Sequence, residues 1–426
     1  MRLLITTDSF PPGCGGSGWS TYELARGLRA RGHEIHVVHV RPGTRGRRER
    51  REDGFSVDEI GVPASPVPFV RNYLKNERSY RRLVPVLRAA IRATSADLVH
   101  AQHVLSAPPS VTAARLERVP VVCTVRDYWP LCYWSDLIHD PSSASLCPGC
   151  SAAMMTRCIR PRAGAAWPLA LPLIAYMKSN LRRKRLALAD ASAVIAVSSV
   201  MARDLASRAP QLHGTRIETI PNPVDIDAVM ASASAPHPMD GASYAIYVGK
   251  LAPNKGSRHL VTAMSRARLP WPLVVVGDGP DRGAVEQAAA REGHDLRMQG
   301  WLPRDEALRW LAHASLVVFP SHGPESLSRV LLESAALARP IAAMDTGGTG
   351  DIVVHGETGL LARSADELGD AAARLVRDRA LAETLGRQAA DFVRTHFAAP
   401  VVVARVEALY TKLCSAAGRR LETARG

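Results

Sequence analysis

The sequence predicts an α/β protein with two doubly wound, Rossmann-like domains, each built on a parallel sheet. In both halves of the 426-residue chain, short apolar strands alternate with amphipathic helices, and a small-residue linker (ASASAPHP, 231–238) separates the two series. The chain is 46% hydrophobic and 22% charged, which is typical of cored domains and excludes disordered and collagen-like chains.

The first half opens with a strand, a glycine-rich turn, a helix and a second strand, predicted at 2–7, 13–18, 20–31 and 34–40. This order is a βαβ unit and indicates a parallel sheet. Further strands are predicted at 98–101, 121–125 and 193–197. The charged, proline-rich stretch 41–68 predicts a long loop or edge hairpin outside the core.

The second half repeats the alternation of strands and helices. Strands are predicted at 244–248, 273–276, 316–319 and 341–343, and helices at 257–267, 282–292, 304–312 and 328–338. Residues 365–397 and 400–416 read as helical. We therefore predict a first domain at 1–215 with a cysteine-containing insertion near 130–160, a second at 216–395, and a final segment, 396–426. In such folds the carboxyl ends of both sheets face a ligand-binding cleft.

The formal charge of +14 lies entirely in the first half, because residues 1–210 contain 30 Lys and Arg against 16 Asp and Glu, and the remainder contains 24 of each. This excess favours an anionic membrane or a phosphorylated substrate. A nucleic-acid partner is not expected, because no binding motif accompanies the charge. The apolar segment 163–177, interrupted by Pro168 and Pro172, is too short to span a membrane and predicts either a buried helix pair or a membrane-surface contact.

Seven cysteines are too few for a secreted disulfide scaffold, and residues 1–10 read as a strand and not as a signal peptide, so a cytoplasmic setting is expected. Four of the cysteines have the spacing C-x14-C-x2-C-x7-C and are candidate ligands of a structural zinc ion: Cys132, Cys147, Cys150 and Cys158. Free thiols are the main alternative, and the compartment disfavours disulfides.

A pair of glutamates follows the predicted strand 316–319. Glu325 lies in the strand-to-helix turn, where a carboxylate can hold sugar hydroxyls, and Glu333 lies about two helical turns further on, where it can accept both hydroxyls of a ribose. The backbone N–H groups at the helix start suit a phosphate; they belong to Ser326, Leu327 and Ser328. The alternative is a pair of solvated glutamates on a helix face.

Two lysines follow the first strand of the same half, in GKLAPNKG. Lys250 and Lys255 are cations placed for a diphosphate. Gly249 and Gly277 begin glycine turns at strand ends, and a third turn lies in TGGTG at 346–350. A backbone without side chains can approach a ligand closely.

Taken in order, GKLAPNKG, VVGDGP, GWLPRDEALRWLAHASLVVFPS, E-x7-E and TGGTGDIVVHGETGLL resemble the family-four retaining glycosyltransferases, which have the two-domain B-type fold. In the first half, LARGLRARGHEIHVV, DLVHAQH, VIAVSS and IPNPVD are similar to the same family's landmarks. The resemblance covers nearly the whole chain. It implies transfer of a sugar from a nucleotide diphosphate-sugar, UDP- or GDP-linked, to a glycan or lipid-linked acceptor in cell-surface polysaccharide or glycolipid synthesis.

The resemblance also implies residue roles. Glu333 would hold the ribose and Glu325 the donor sugar, while Lys250, at a position where the family usually has Arg, and Lys255 would neutralise the leaving diphosphate. Gly16 would bring backbone N–H groups to that phosphate, and Asn222 of IPNPVD is assigned to the donor. The first domain would hold the acceptor and the second the nucleotide-sugar, and the C-terminal helix in 396–426 would cross back to the first domain. No metal or other cofactor would be required for catalysis, and no residue is assigned as nucleophile. The enzyme would be cytoplasmic or peripheral on the inner face of the cell membrane.

Two departures from the family pattern affect the donor side. Arg126-Asp127 replaces the usual His-Asp, and the pair is predicted to contact the sugar or the acceptor; Ser-Leu-Ser replaces Gly-Phe-Gly after Glu325. Two other functions therefore stay open: a nucleotide-sugar epimerase on the same fold, and a non-catalytic nucleotide-sugar-binding protein. His100 and His103 are predicted to be structural, with a role near the acceptor as the alternative.

Overall fold

The computed structural model describes residues 1–140 and 145–423. The chain forms two compact units. The first comprises Met1–Leu137, Pro148–Pro223 and Ala399–Gly426, and the second comprises Ile138–Cys147 and Val224–Ala398. The second unit thus begins after Pro223, whereas the sequence places the boundary at 215/216, and the closing helix belongs to the first unit.

Eight strands of the first unit form one sheet: β1 (Arg2–Thr7), β2 (Glu34–Pro42), β3 (Arg47–Glu52), β4 (Phe55–Val62), β5 (Leu98–Ala101), β6 (Val121–Val125), β9 (Ala193–Ala196) and β10 (Ile217–Thr219). Between β6 and β9 in the chain come two short antiparallel strands that belong to the second unit, β7 (Ile138–Asp140) and β8 (Ser145–Leu146). The sheet order is β10-β9-β6-β5-β1-β2-β4-β3, and every pair except the antiparallel β3–β4 is parallel.

The helices of the first unit cover both faces of its sheet. They are α1 (Gly16–Ala30), α2 (Pro68–Tyr73), α3 (Ser79–Thr94), α4 (Ala107–Glu117), α5 (Ala152–Ala163), α6 (Leu173–Ala189) and α7 (Ser199–Arg208). A π-helical turn, Leu74–Arg78, joins α2 to α3, and 3-10 turns lie at Gly164–Ala170 and Pro210–Leu212. Leu83, Val111 and Met201 of α3, α4 and α7 pack in one core, which has a valine- and alanine-rich sheet face.

The second unit has a six-stranded, all-parallel sheet in the order β13-β12-β11-β14-β15-β16. Its strands are β11 (Ala245–Val248), β12 (Leu273–Val276), β13 (Leu296–Gly300), β14 (Leu316–Phe319), β15 (Ile341–Met344) and β16 (Leu360–Ala362). Its helices are α8 (Ile226–Ala231), α9 (Ser257–Ala267), α10 (Arg282–Glu292), α11 (Arg304–Ala312), α12 (Arg329–Ala336), α13 (Ala365–Arg377) and α14 (Arg379–His396), with 3-10 turns at Ser232–Ser234, Pro253–Lys255 and Gly347–Asp351. The alternation of strand and helix confirms the predicted doubly wound architecture.

The last helix, α15 (Ala399–Thr423), packs on the sheet of the first unit. Val402 and Val406 contact the same apolar cluster as Leu24 of α1 and Leu98 of β5. The Tyr410 hydroxyl is hydrogen-bonded to Nδ1 of His100, whose Nε2 is 2.7 Å from the Thr124 hydroxyl. His100 is therefore a structural histidine, and burial holds its pKa well below the usual value.

Two expectations about the first half need correction. The edge hairpin within 41–68 is present, but β4 is not outside the core, because Phe55 and Val57 are buried and β4 pairs with β2 along its length. The segment 163–177 is not a buried helix pair. It forms the short helix Gly164–Ala170 and the start of α6, and it is only partly buried: Ala170 and Met177 lie in an apolar cluster, whereas Leu169 is 84% exposed.

Candidate functional site

The second unit brings Lys255 and Glu325 together, although 70 residues separate them in the chain. Lys255 ends the turn Pro253–Lys255, and its Nζ donates to Oε1 of Glu325 at 2.5 Å. The Ser321 hydroxyl donates to the same carboxylate oxygen. The Glu325 side chain is 10% exposed and that of Lys255 36% exposed. The result is a charged pair at the carboxyl end of β14, the edge at which doubly wound sheets bind ligands.

Two glycines allow the loops around this pair to pack. A Cβ on Gly256, which has a φ of +67°, would lie 1.7 Å from the Pro320 carbonyl oxygen. A Cβ on Gly347, with a φ of +54°, would lie 2.0 Å from the Glu325 carbonyl oxygen. At both positions any other residue would force the Lys255 or Glu325 loop to move. These glycines thus hold the pair in place.

Gly277 allows a similar close approach to the backbone of Gly249. A Cβ on Gly277 would lie 1.9 Å from the Gly249 carbonyl oxygen. The two glycine turns therefore make a close backbone approach to one another, a use that the sequence interpretation did not include. Lys250 is exposed, and no hydrogen bond or ion pair joins its ammonium group to another part of the described chain.

Glu333 lies on α12 and is held by two arginines that the sequence analysis missed. Its Oε1 accepts from Arg329 Nε at 2.8 Å and from Arg304 at 3.1 Å. All three side chains are largely buried, with at most 16% exposed. The i, i+4 spacing of Arg329 and Glu333 is a signal that could have identified one arginine. Arg304 comes from α11 and carries no local signal.

The turn before α12 has mixed accessibility. Ser326 is half-buried, whereas Leu327 and Ser328 are buried. Ser328 is the N-cap of α12, because its side chain accepts from the Leu331 N–H. Its hydroxyl therefore caps the helix, and a phosphate contact at this turn has to use backbone N–H groups.

In the first unit, Arg126 and Asn222 are in contact. Arg126 follows β6 and donates through Nε to Oδ1 of Asn222 at 2.9 Å; it also donates to the side-chain oxygen of Gln102. Arg126 and Asn222 are both buried. The sequence predicted each residue separately, and only the fold, with β9 between β6 and β10, joins them. The contact orients the arginine at the carboxyl edge of the sheet.

Further acidic and basic side chains lie at the carboxyl edge of the same sheet. Asp127 accepts from the Trp129 N–H at 2.8 Å. Asp8, which follows β1, has one carboxylate oxygen 3.3 Å from Nδ1 of His103 and the other 3.9 Å from Nζ of Lys75. Burial raises the pKa of Asp8 and lowers that of His103. Sequence reasoning missed Asp8 and Lys75; a polar residue directly after the first strand was the available signal.

Gly16 is the first residue of α1, so the helix begins four residues earlier than predicted. Its N-cap is Gly15, which makes no side-chain cap hydrogen bond, and the first turn contains no acidic residue. The first N–H groups of a helix have no partner within it. The N-terminus of α1 therefore offers the N–H groups that the prediction for Gly16 requires.

Three of the four cysteines predicted to bind zinc have polar contacts of their own. In the first unit, the Cys132 sulfur is 3.7 Å from an Asp136 carboxylate oxygen, the Cys150 thiol donates to the Leu131 carbonyl at 3.5 Å, and the Cys158 sulfur accepts from Arg162 at 3.2 Å. Across residues 1–140 and 145–423, no three His, Cys, Asp or Glu side chains are grouped to hold a metal ion. Zinc stays a prediction that metal analysis of the purified protein can check.

The carboxyl group of Asp127 gives a testable pH dependence. Burial raises its pKa to about 6, against 3.8 for the ordinary side chain. Between these values the folded protein binds a proton that the unfolded chain does not, so this group's stabilisation is present at low pH and is lost as the pH rises through about 6. Asp127→Asn should therefore raise the free energy of unfolding by roughly 1–3 kcal/mol at pH 7.5, and by less than half as much near pH 4.5. Urea unfolding at both pH values measures this, and an equal difference at the two would contradict it.

Comparison with family models assigns each part of the chain. Residues 14–228 match the model "Glycosyltransferase Family 4", which is half of the chain, and residues 242–378 match "Glycosyl transferases group 1". The first range contains Arg126, Asp127 and Asn222, and the second contains Lys255, Glu325 and Glu333.

Similar proteins are found along the whole chain. It is 26% identical to a glycogen synthase of Mycobacterium tuberculosis over 419 residues, with 93% of this chain and 91% of the relative covered. It is 28% identical to a GDP-mannose-dependent alpha-mannosyltransferase of the same organism, with 89% of each covered.

Solved structures share the fold. Sucrose-phosphate synthase from Thermosynechococcus elongatus superposes with a TM-score of 0.71 at 18% identity, covering 98% of this chain and 100% of that one. Anabaena HepE in complex with UDP and glucose superposes with a TM-score of 0.68 at 18% identity, covering 97% and 100%. Together with the two Rossmann-like units and their strand-end residues, the matched models identify the chain as a member of glycosyltransferase family 4 with the B-type fold.

Proposed function

We propose that this glycosyltransferase moves a sugar from a UDP- or GDP-sugar to a glycan or lipid-linked acceptor, with retention of the anomeric configuration, in cell-surface polysaccharide or glycolipid synthesis. The second unit binds the donor and the first unit the acceptor. The observation that carries the proposal is the Lys255–Glu325 pair at the carboxyl end of β14. It combines a cation for the diphosphate with a carboxylate for sugar hydroxyls in a partly dehydrated setting, where both interactions are strong.

In the proposed reaction, Lys255 and Lys250 neutralise the diphosphate as it leaves, so that no divalent metal is needed. Glu325 accepts hydrogen bonds from donor-sugar hydroxyls and holds the sugar in orientation. Glu333, which Arg304 and Arg329 fix in position, accepts the ribose hydroxyls. The two arginines limit the rotation of this carboxylate.

The bond changes balance without an enzymic nucleophile. The bond between the anomeric carbon and the phosphate oxygen breaks, the acceptor hydroxyl oxygen bonds to the same face of that carbon, and the departing phosphate takes the hydroxyl proton. Arg126, with Asp127 beside it, contacts the sugar or the acceptor. Asn222 and Gln102 orient the Arg126 guanidinium at the strand ends, and a guanidinium is a suitable group to recognise a hydroxyl, carboxylate or phosphate.

The names of similar proteins mention different donors, which supports both uridine and guanosine as candidates for the base of the donor nucleotide. One solved structure with the same fold is described in complex with UDP-glucose, and one sequence relative is named GDP-mannose-dependent. We expect nucleoside diphosphate release from one member of a panel of UDP-, GDP- and ADP-sugars, without added divalent metal and increasing with a membrane-lipid extract.

Other outcomes of the same panel favour other functions. Consumption of donor without acceptor and with the sugar count unchanged indicates an epimerase. Binding of donor without release under every condition indicates a nucleotide-sugar-binding protein, and Arg126→His is then the variant to test. Release that requires a divalent metal contradicts the assignment of charge neutralisation to Lys250 and Lys255.

We also propose that the first unit contacts an anionic membrane surface at the inner face of the cell membrane. No helix within the described residues is long and apolar enough to cross a membrane. However, Leu169 is 84% exposed and Tyr73 of α2 is 44% exposed, and the Tyr73 ring lies 6.3 Å from the Tyr176 ring of α6. Exposed cations lie on the flanking helices: Arg160, Lys178 and Arg182. Exposed apolar side chains beside cations are typical of surfaces that bind anionic lipid.

Sedimentation with vesicles tests the membrane contact. At low salt, the protein should sediment with vesicles that contain about one-third anionic lipid, and Leu169→Asp should lower the bound fraction at least about twofold. Leu116→Asp is the matched control, because Leu116 is 56% exposed on α4, away from this segment in the chain. Protein that stays wholly in the supernatant would contradict the proposal.

A further inference from the structure

A cavity of about 350 Å³ lies among α3, α4 and α6 of the first unit. Its apolar lining comes from Val84 of α3, from Pro108 and Pro109 of α4, and from Ala187 of α6. It opens to solvent beside Thr112, which is exposed. A volume of this size is within the range of small-molecule sites. The cavity is lined by helices, whereas the residues assigned to the donor and acceptor lie at the ends of strands.

One wall of the cavity carries a buried lysine whose ammonium group has no hydrogen-bond acceptor within the described residues. Lys184 is 2% exposed, and no hydrogen-bond acceptor within the described residues reaches its Nζ. The nearby Tyr133 ring centroid is 5.8 Å from that nitrogen, a weak contact. Burial lowers the pKa of Lys184 to about 8. A buried cation without a hydrogen-bonded anion is costly, and a bound anion would remove that cost.

The neighbouring polar groups leave the cavity with a positive excess. The only lining carboxylate is that of Glu77, which accepts from Arg183 and, at 3.3 Å, from Asn180 Nδ2. Oδ1 of Asn180, which is also buried, accepts no hydrogen bond among the described groups and can receive a ligand hydroxyl. Arg81 lines the opening, is exposed, and forms no ion pair within the described chain. Lys184 and Arg81 thus provide two positive charges that form no ion pair among the described residues, although the Glu77 and Asp127 carboxylates attract the Lys184 ammonium group electrostatically.

We propose that this cavity binds a phosphate monoester, with the phosphate held by Lys184 and Arg81 and the organic body against Val84, Pro108, Pro109 and Ala187. A phosphate fits better than a carboxylate because its charge of about −1.5 to −2 at pH 7 approaches that of the two cations. The organic body is either a lipid chain, which suits the apolar wall, or a sugar, whose hydroxyls suit the Asn180 amide. The site does not depend on the proposed transfer reaction.

Calorimetric titration of the full chain tests the site with four probes: octyl phosphate, glucose 1-phosphate, octyl glucoside and inorganic phosphate. We expect at least one phosphate monoester to bind, with octyl glucoside not binding. Lys184→Met keeps the length and apolar stem of the side chain and removes the charge, so it should weaken binding by about tenfold or more. Tighter binding of octyl phosphate identifies a lipid head group as the ligand class, and tighter binding of glucose 1-phosphate a sugar phosphate.

Three further variants separate this cavity from other sites. Thr112→Trp should obstruct the opening and weaken binding about tenfold even if Lys184→Met does not fold, because Thr112 is exposed. Arg82→Gln, next to Arg81 but not lining the cavity, should change the affinity less than about twofold. Lys255→Ala should also leave this affinity unchanged, since a loss there would place the phosphate in the donor site. Failure of both monoesters to bind, or equal binding by wild type, Lys184→Met and Thr112→Trp, would overturn the proposal.

Discussion

Replacing Lys255 or Glu325 by alanine is expected to lower kcat by about 10²–10³-fold, the usual cost of removing a preorganised charge that acts in the transition state. The physical reason is the short contact between the two side chains, which leaves the lysine ammonium and the glutamate carboxylate positioned before the donor arrives. Steady-state release of nucleoside diphosphate, with the donor identified by the panel, measures the effect.

Stability must be followed alongside activity. Lys255 is partly exposed, so the loss of its ion pair should cost at most about 1 kcal/mol of unfolding free energy. Lys412→Ala is the matched control, because Lys412 is an exposed lysine on α15. A Lys255→Ala enzyme with wild-type kcat would refute the assigned role. A Glu325→Ala enzyme that lost activity only in proportion to its folded fraction would refute the role of the glutamate.

The second large effect concerns folding. Tyr410→Ala is expected to lower the free energy of unfolding by about 3–5 kcal/mol, because it removes a fully buried aromatic side chain from the cluster that joins α15 to α1 and β5. It also leaves Nδ1 of the buried His100 without its hydroxyl partner. Urea unfolding followed by far-UV circular dichroism measures the change.

Two controls separate the components of this effect. Tyr410→Phe keeps the ring and removes only the hydroxyl, so it should cost about 1–3 kcal/mol. Val401→Ala lies on the same helix but is 38% exposed, and it should cost less than about 1 kcal/mol. If Tyr410→Ala were as stable as Val401→Ala, α15 would not be an integral part of the first unit.

In the second unit, strands buried in the middle of the sheet could be read from the sequence, whereas the two edge strands could not. The central strands β5, β6, β12 and β14 have the predicted bounds, because their continuous apolar runs are flanked by turns or helices. The strands missed in the second unit, β13 and β16, are its two edge strands. β13 has no fully buried residue and β16 has only three residues, so neither has a clear apolar pattern.

The candidate site likewise contains residues that the sequence could identify and residues that it could not. Glu325, Glu333, Lys250 and Lys255 were identified because each is placed by a local pattern of strand, turn and helix. Their partners were not. Arg304 is 29 residues from Glu333, and Arg126 is 96 residues from Asn222, so no local spacing connects them. The zinc prediction rested chiefly on cysteine spacing and stays a prediction, although no three His, Cys, Asp or Glu side chains are grouped to hold a metal ion within the described residues.

Alternating apolar and polar residues are enough to determine which segments become strands and helices, and the order of those segments determines a doubly wound fold with ligand residues at the strand ends. What they cannot determine is which strand ends become neighbours. In the first unit, β1 lies between β5 and β2, and this order brings Asp8 beside His103. Charge pairing and burial act over a few ångströms, so the pKa of Asp127, the Lys255–Glu325 contact and the unpartnered Lys184 were decided only when the tertiary structure brought distant segments together.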